Sequence, residues 1–171
     1  MGMEMDMARF EQFDRLCSEG LPGEVDQILK AAAGKPFLAI GFITTDDFYG
    51  CYLTWNDSRD IREYYEWENG QYPDFLYQPL VDVVDSCQEI DFCNPSEEKW
   101  EFAKAFLTVL EKNIKQLPEA VFRDNGCSRE DILFFATMGD GDYIQELMDT
   151  SVQMFNSQKT LQAYGIRKGV D

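Results

Sequence analysis

Two short apolar runs limit what this chain can fold into: Phe37-Leu38-Ala39-Ile40-Gly41-Phe42-Ile43 and Ile132-Leu133-Phe134-Phe135-Ala136-Thr137-Met138. A strand with one wet face alternates apolar and polar residues. A run without that alternation has to be covered on both faces. The rest of the chain must therefore supply elements for two sides of a sheet. After the first run, Thr45-Asp46-Asp47 reads as a turn. Phe48 to Trp55 returns, rich in aromatic and β-branched residues, which predicts a hairpin over 37–55. Asn56-Asp57-Ser58 ends it and can cap a surface helix of about Arg59 to Glu68.

The helical signals lie around these runs. Met7, Phe10, Phe13, Leu16 and Cys17 recur at helical spacing from Met5, and Gly20-Leu21-Pro22-Gly23 predicts a break. A second helix is expected from about Pro22 to Ala33, with Gly34 as its stop. Gln71 to Asp91 reads as a short helix through Leu76, Leu80 and Val84, with a strand at Val81 to Val84 as the alternative. Trp100, Ala103, Phe106, Leu107, Leu110, Ile114 and Leu117 form one stripe. Asn94 and Pro95 stand at its head and Pro118 at its end. Ala120-Val121-Phe122 is a brief apolar turn. A last helix starts at Asp142, and the tail from Ser157 reads as short and polar apart from Leu161, Tyr164 and Ile166. No repeat or linker divides the chain. The expectation is a single α+β domain over 1–171. Its sheet is small and mainly antiparallel, built of the 37–55 hairpin and strand 132–138, with five or six flanking helices.

Charge and one missing residue type narrow the function. The chain has no histidine, and 32 acidic residues face 15 basic ones, for a net charge of −17. Ser-His-Asp and Cys-His catalysis and histidine metal ligation are excluded. From Pro36 to Pro95 twelve acids stand against Arg59 and Arg62 alone, a local net of −10. Nucleic-acid affinity rests on neutralising phosphates with cations, so this segment repels nucleic acid and attracts basic proteins. No apolar run is long enough for a membrane span, and Met1 to Asp6 lacks the pattern of a signal peptide. Gly2 fits myristoylation poorly, because Asp6 stands where Ser or Thr belongs. Cys17, Cys51, Cys87, Cys93 and Cys127 are odd in number and widely spaced. They read as reduced thiols of a cytosolic protein rather than as a disulfide framework or zinc site.

Three constellations carry possible chemistry. Cys93 precedes Asn94 at a predicted helix start, where a dipole lowers a thiol pKa, but no base partner is identifiable. Asp140-Gly141-Asp142 follows the second run. With Asp46 and Asp47 it supplies oxygens for Mg²⁺ or Ca²⁺, or simply a turn and a helix cap. Gly139 and Gly141 match no phosphate-binding loop, so no cofactor is expected. Phe48, Tyr49, Tyr52, Trp55, Tyr64, Tyr65, Trp67, Tyr72, Phe75 and Tyr77 crowd together amid acids. They read as core or edge packing, or as anchors of an interface with an acidic rim. On the interface reading the expected contact residues are Trp55, Asp57, Asp60, Glu63, Tyr64, Tyr65 and Trp67.

The order of elements adds a resemblance. Phe37 to Asp47 ending in Thr45-Asp46-Asp47, Trp55-Asn56, Met138-Gly139-Asp140-Gly141-Asp142 and Ser151-Val152-Gln153-Met154-Phe155-Asn156 together resemble a bacterial domain-of-unknown-function family (DUF four-three-zero-three). The resemblance spans most of the chain. It implies an α+β domain and carries over no catalytic residue. SUKH-type immunity proteins, which neutralise toxins, are a looser analogy. The leading expectation is a non-enzymatic, acidic cytosolic binding protein, immunity-like, that engages a basic protein. The alternatives are a metal-assisted hydrolase using Asp46, Asp47, Asp140 and Asp142, and a structural homo-oligomer.

Overall fold

A computed structural model describes residues 6–168. The Gly2 lipidation reading and Met5, where the first helix is expected to begin, lie outside the described residues. The fold is α+β. The two apolar runs become neighbouring strands, β1 (Leu38–Thr44) and β4 (Ile132–Met138), buried along their whole length. They lie parallel, with Leu38 opposite Ile132 and Thr44 opposite Met138. Strand β2 (Cys51–Asn56) returns antiparallel to β1, and the short β3 (Asn69–Gln71) pairs antiparallel with β2. The order β3-β2-β1-β4 makes an open, mixed sheet. The sheet is mainly antiparallel, as expected from the sequence, with two of its three pairings antiparallel. Between its two apolar strands the pairing is parallel, which suits runs covered on both faces.

One face of the sheet meets α1 (Glu11–Ala31), α2 (Gln78–Ser86), α3 (Glu97–Lys115) and α4 (Glu119–Arg123). Ile40, Phe42, Leu53 and Phe134 point into this larger core. On the other face Ala39, Ile43, Leu133 and Phe135 meet Ile61, Tyr64, and residues of α5 (Ile144–Phe155) and α6 (Gln158–Ala163). Helix α5 straddles the β4 edge: Leu147 and Phe155 join the larger core, Met148 and Val152 the smaller. Its side chains also stand in for a missing strand. The Ser151 hydroxyl accepts from Ala136 N–H at 2.8 Å and lies 3.1 Å from its carbonyl. The Asn156 amide pairs with Phe134 N–H and C=O at 2.9 and 2.7 Å. An edge that would otherwise recruit another chain is thereby closed.

Several elements differ from expectation. Gly20 to Gly23 does not break the first helix, and α1 runs through with Pro22 inside it. The reason is an unbroken stripe: Phe13, Cys17, Leu21, Val25 and Ile28 are all buried across the expected break. Burying that stripe outweighs the proline penalty of about 3 kcal/mol. Gly20 is used for close packing, since a Cβ there would sit 2.4 Å from the Phe75 ring. The helix expected over Arg59 to Glu68 is a 3₁₀ segment, Ile61–Glu66, capped by the Asp60 side chain. The 71–91 stretch is helical at Gln78–Ser86, not a strand. Ser96, not Asn94, caps α3 by accepting from Lys99 N–H at 3.0 Å. The polar tail forms α6, because Leu161 and Tyr164 have a hydrophobic face to cover. Among the described residues no helix is long and apolar enough to cross a membrane.

Candidate functional site

The parallel pair has two dissimilar ends. At its start, Tyr164 ties the strands together. Its hydroxyl accepts from Leu38 N–H at 2.8 Å and lies 2.8 and 2.9 Å from the carbonyls of Leu38 and Asp131. At its finish the strands run into two loops, 45–50 and 139–143. Parallel strands leave a crevice beyond their C-terminal ends, where open sheets take ligands. Here the crevice is a cleft of about 420 Å³.

Each loop is fixed by a local device. Phe48 is the one non-glycine residue at positive φ among the described residues, at 59°. That conformation costs a bulky residue about 1–2 kcal/mol. Packing holds it there: the Phe48 ring is fully buried, with ring centroids 5.1 Å from Phe102 and 5.7 Å from Phe106. With Phe48 plugged into the helices, Tyr49 is turned outward and is 41% exposed. Gly50, at φ 103°, lets the Tyr77 ring lie against the backbone, for a Cβ would stand 2.5 Å from that ring. The second loop is clamped to the first. Asp46 accepts from Asp142 N–H at 3.2 Å and from the Lys99 ammonium at 3.1 Å. Lys99 is fully buried, and its Nζ lies 5.4 Å from the Tyr143 ring centroid. A buried cation, one carboxylate and one backbone N–H thus set the spacing of the cleft's two back loops.

The cleft wall is made of tyrosines: Tyr49, Tyr52, Tyr72 and Tyr77. Tyr52 and Tyr72 are stacked, with centroids 5.1 Å apart and planes within 20°. The outer ring, Tyr72, is 76% exposed, and Tyr77 is 55% exposed. Asp74 and Asp140 are among the residues lining the same cleft, and no lysine or arginine is. Asp85 stands beside the rim and accepts from the Tyr49 hydroxyl at 3.3 Å. Its charge is the main reason the Tyr49 phenol titrates above its ordinary value. Burial, then the neighbouring Tyr72, raises Tyr52. The surface is therefore aromatic, hydroxyl-bearing and negative. A second depression of similar size holds Arg59 and Arg62, but both cations are already engaged. Arg59 donates to the Ala163 carbonyl at 2.9 Å and lies over the Phe37 ring, and Arg62 pairs with Asp60 through two bonds.

The chain matches no family model, no curated protein and no solved structure.

The contact residues expected from sequence are divided by the fold. Trp55 packs against the larger core and Trp67 against Phe135. Tyr64 is buried, and its hydroxyl donates to the Met138 carbonyl at 2.6 Å. Asp60 caps the 3₁₀ segment and pairs with Arg62, whose hydrogen bonds hold its carboxyl below the ordinary carboxylate value. Asp57 lies 3.7 Å from Lys35. Tyr65 and Glu63 remain outward. Of the alternative metal set, Asp46 is taken by Lys99 and Asp142 N–H, and Asp47 accepts from Thr45 at 2.5 Å. Asp140 is one of the residues lining the cleft, and Asp140 and Asp142 are both exposed. Among the described residues no three His, Cys, Asp or Glu side chains gather as a metal-holding group. Cys93 is exposed, and the helix it was expected to head begins four residues later. None of the five cysteines is paired. The four cleft tyrosines lay within the aromatic series but outside the expected contact set. Their signal was the hydroxyl: Tyr49 follows Phe48, and Tyr77 follows Phe75-Leu76.

Proposed function

We propose that this protein is a docking protein that binds a basic polypeptide at the tyrosine-walled cleft beyond the ends of β1 and β4. The observation that carries the reading is the lining itself. Four tyrosines and two aspartates line it with no basic residue among them, on a chain of net charge −17. Tyrosine supplies rigid amphipathic area at low entropic cost, and it tolerates water when no partner is bound. The surrounding field steers cations toward the cleft. Binding needs no residue rearranged as acid or base, and no histidine is present to act as either. A cytosolic setting accords with the five unpaired thiols.

The test is calorimetric titration of the full chain with two peptides of equal length, an arginine–serine repeat and a glutamate–serine repeat, at low and high salt. The basic peptide binds, and its affinity falls as salt rises. The acidic peptide does not bind. Failure of the basic peptide to bind at low salt overturns the proposal.

A further inference from the structure

The cleft also selects among cations. Resting on the docking role proposed above, we infer that its anchor is one arginine side chain in an extended segment of the partner, its guanidinium laid flat on the Tyr72 ring. Three observations lead there. The first is the stacked pair: Tyr52 backs Tyr72 at 5.1 Å and 20°, so the exposed outer ring is held as a fixed π-face. A guanidinium is planar and weakly hydrated. It stacks on such a face and still points its N–H edge sideways, whereas an ammonium is a compact, strongly hydrated point charge.

The second observation is the placement of acceptors. Asp74 and Asp140 line the cleft along with the rings, and carboxylates take guanidinium N–H groups in pairs. The third concerns the shape of the occupant. Tyr72, Pro73 and Asp74 line the cleft and also a second, wider groove that continues past Phe75 to Leu16 and Glu24. Tyr72 is thus a ridge between two depressions. An extended polypeptide can cross it and drop one side chain into the cleft, while its backbone follows the groove. A free amino acid or small amine fills only one side.

The experiment compares three peptides of one sequence, a single central arginine flanked by glycine and serine, with lysine or citrulline in its place. Each is titrated into the full chain and into Tyr72→Ala, Tyr72→Phe and Asp140→Asn. The arginine peptide binds about tenfold or more tighter than the lysine peptide, a difference of about 1.4 kcal/mol. The citrulline peptide, with the same shape and no charge, loses binding. Tyr72→Ala weakens the arginine peptide about tenfold and Tyr72→Phe leaves it within about twofold, because the ring face and not the hydroxyl makes the contact. Asp140→Asn weakens it as well. Free arginine binds far more weakly than the peptide. Equal binding of the arginine and lysine peptides, or no effect of Tyr72→Ala, overturns the inference. If the arginine–serine repeat still binds in a salt-dependent way, the docking role stands without this anchor; if that repeat fails too, both fall. Circular dichroism and thermal melting of each variant confirm folding, and Tyr72, three-quarters exposed, is a position where truncation leaves the fold intact.

Discussion

The two ends of the β1–β4 pair are built from the same kinds of residue and do opposite things. At the start, a tyrosine is buried and its hydroxyl is spent on three backbone groups of Leu38 and Asp131. At the finish, Tyr49, Tyr72 and Tyr77 keep their rings at the surface with Tyr52 half-buried behind Tyr72, and a Lys99–Asp46 ion pair holds the loops behind them. One end is closed by hydrogen bonds that the backbone needs. The other is propped open by groups set back from the surface. The difference shows that the cleft is held by parts that do not line it: Phe48 and Lys99 carry its stability, and the tyrosines are left to make contacts.

That division can be broken in order of effect. Phe48→Ala empties a site shared with Phe92, Phe102 and Phe106 and is expected to cost about 3–5 kcal/mol in urea unfolding. A cost below about 1 kcal/mol would show that the 45–50 loop is not anchored by this ring. Asp46→Asn, which keeps the shape and strands the Lys99 charge, costs about 2–3 kcal/mol. Asp46 is one-third exposed, which places the value at the low end for a broken buried pair. Lys99→Met fills the same space without a charge and costs about 1 kcal/mol or less. The reverse ranking would mean that the Asp46–Asp142 bond, not the buried cation, is what the loops depend on.

Smaller effects sharpen the contrast. Tyr164→Phe leaves the Leu38 N–H without its partner and is expected to cost about 1–2 kcal/mol. Hydrogen exchange should rise at the start of β1 while the cleft stays protected. Titration separates the ends by cause. Burial is the main reason the Tyr164 phenol lies above the ordinary 10.0, whereas for Tyr49 it is the Asp85 charge. Salt screens an exposed charge and leaves burial untouched. NMR titration should therefore bring Tyr49 back toward its ordinary value in high salt and leave Tyr164 raised. For stability the sign is fixed by which state keeps the protons. Tyr52, Tyr64 and Tyr164, and the buried thiols of Cys17 and Cys51, are all raised in the folded chain. Their contribution is complete below the ordinary thiol value of 9.0 and is lost as pH climbs through the raised values. Urea midpoints that rise between pH 9 and 11 would contradict this. The smallest expected change is Tyr77→Ala, within about 0.5 kcal/mol of the parent in stability, since the ring is more than half exposed.

Much of this was legible in the chain. Ile132–Met138 is a strand with the bounds its apolar run marks, and β1 begins one residue later than its run. Of the stripe read for α3, Ala103, Phe106, Leu107, Leu110, Ile114 and Leu117 are buried as their spacing requires, and Trp100 at its head is partly buried. The breaker signals at Gly20 and Pro22 misled because local penalties of a few kcal/mol yield to a long buried stripe. At the site, Tyr49 and Phe48 look alike in a hydropathy pattern. Only the positive φ at Phe48 sends one ring inward and the other out.

By itself the sequence determined which segments had to be covered on both faces, the strongly negative exterior and the absence of imidazole chemistry. These follow from residue types and their periodicity, which act locally. The parallel pairing of the two runs, the burial of Lys99 against Asp46 and the gathering of Tyr49, Tyr52, Tyr72 and Tyr77 were decided only in three dimensions. Each joins positions far apart along the chain, and such contacts are selected by the packing of the whole core rather than by any neighbour in sequence.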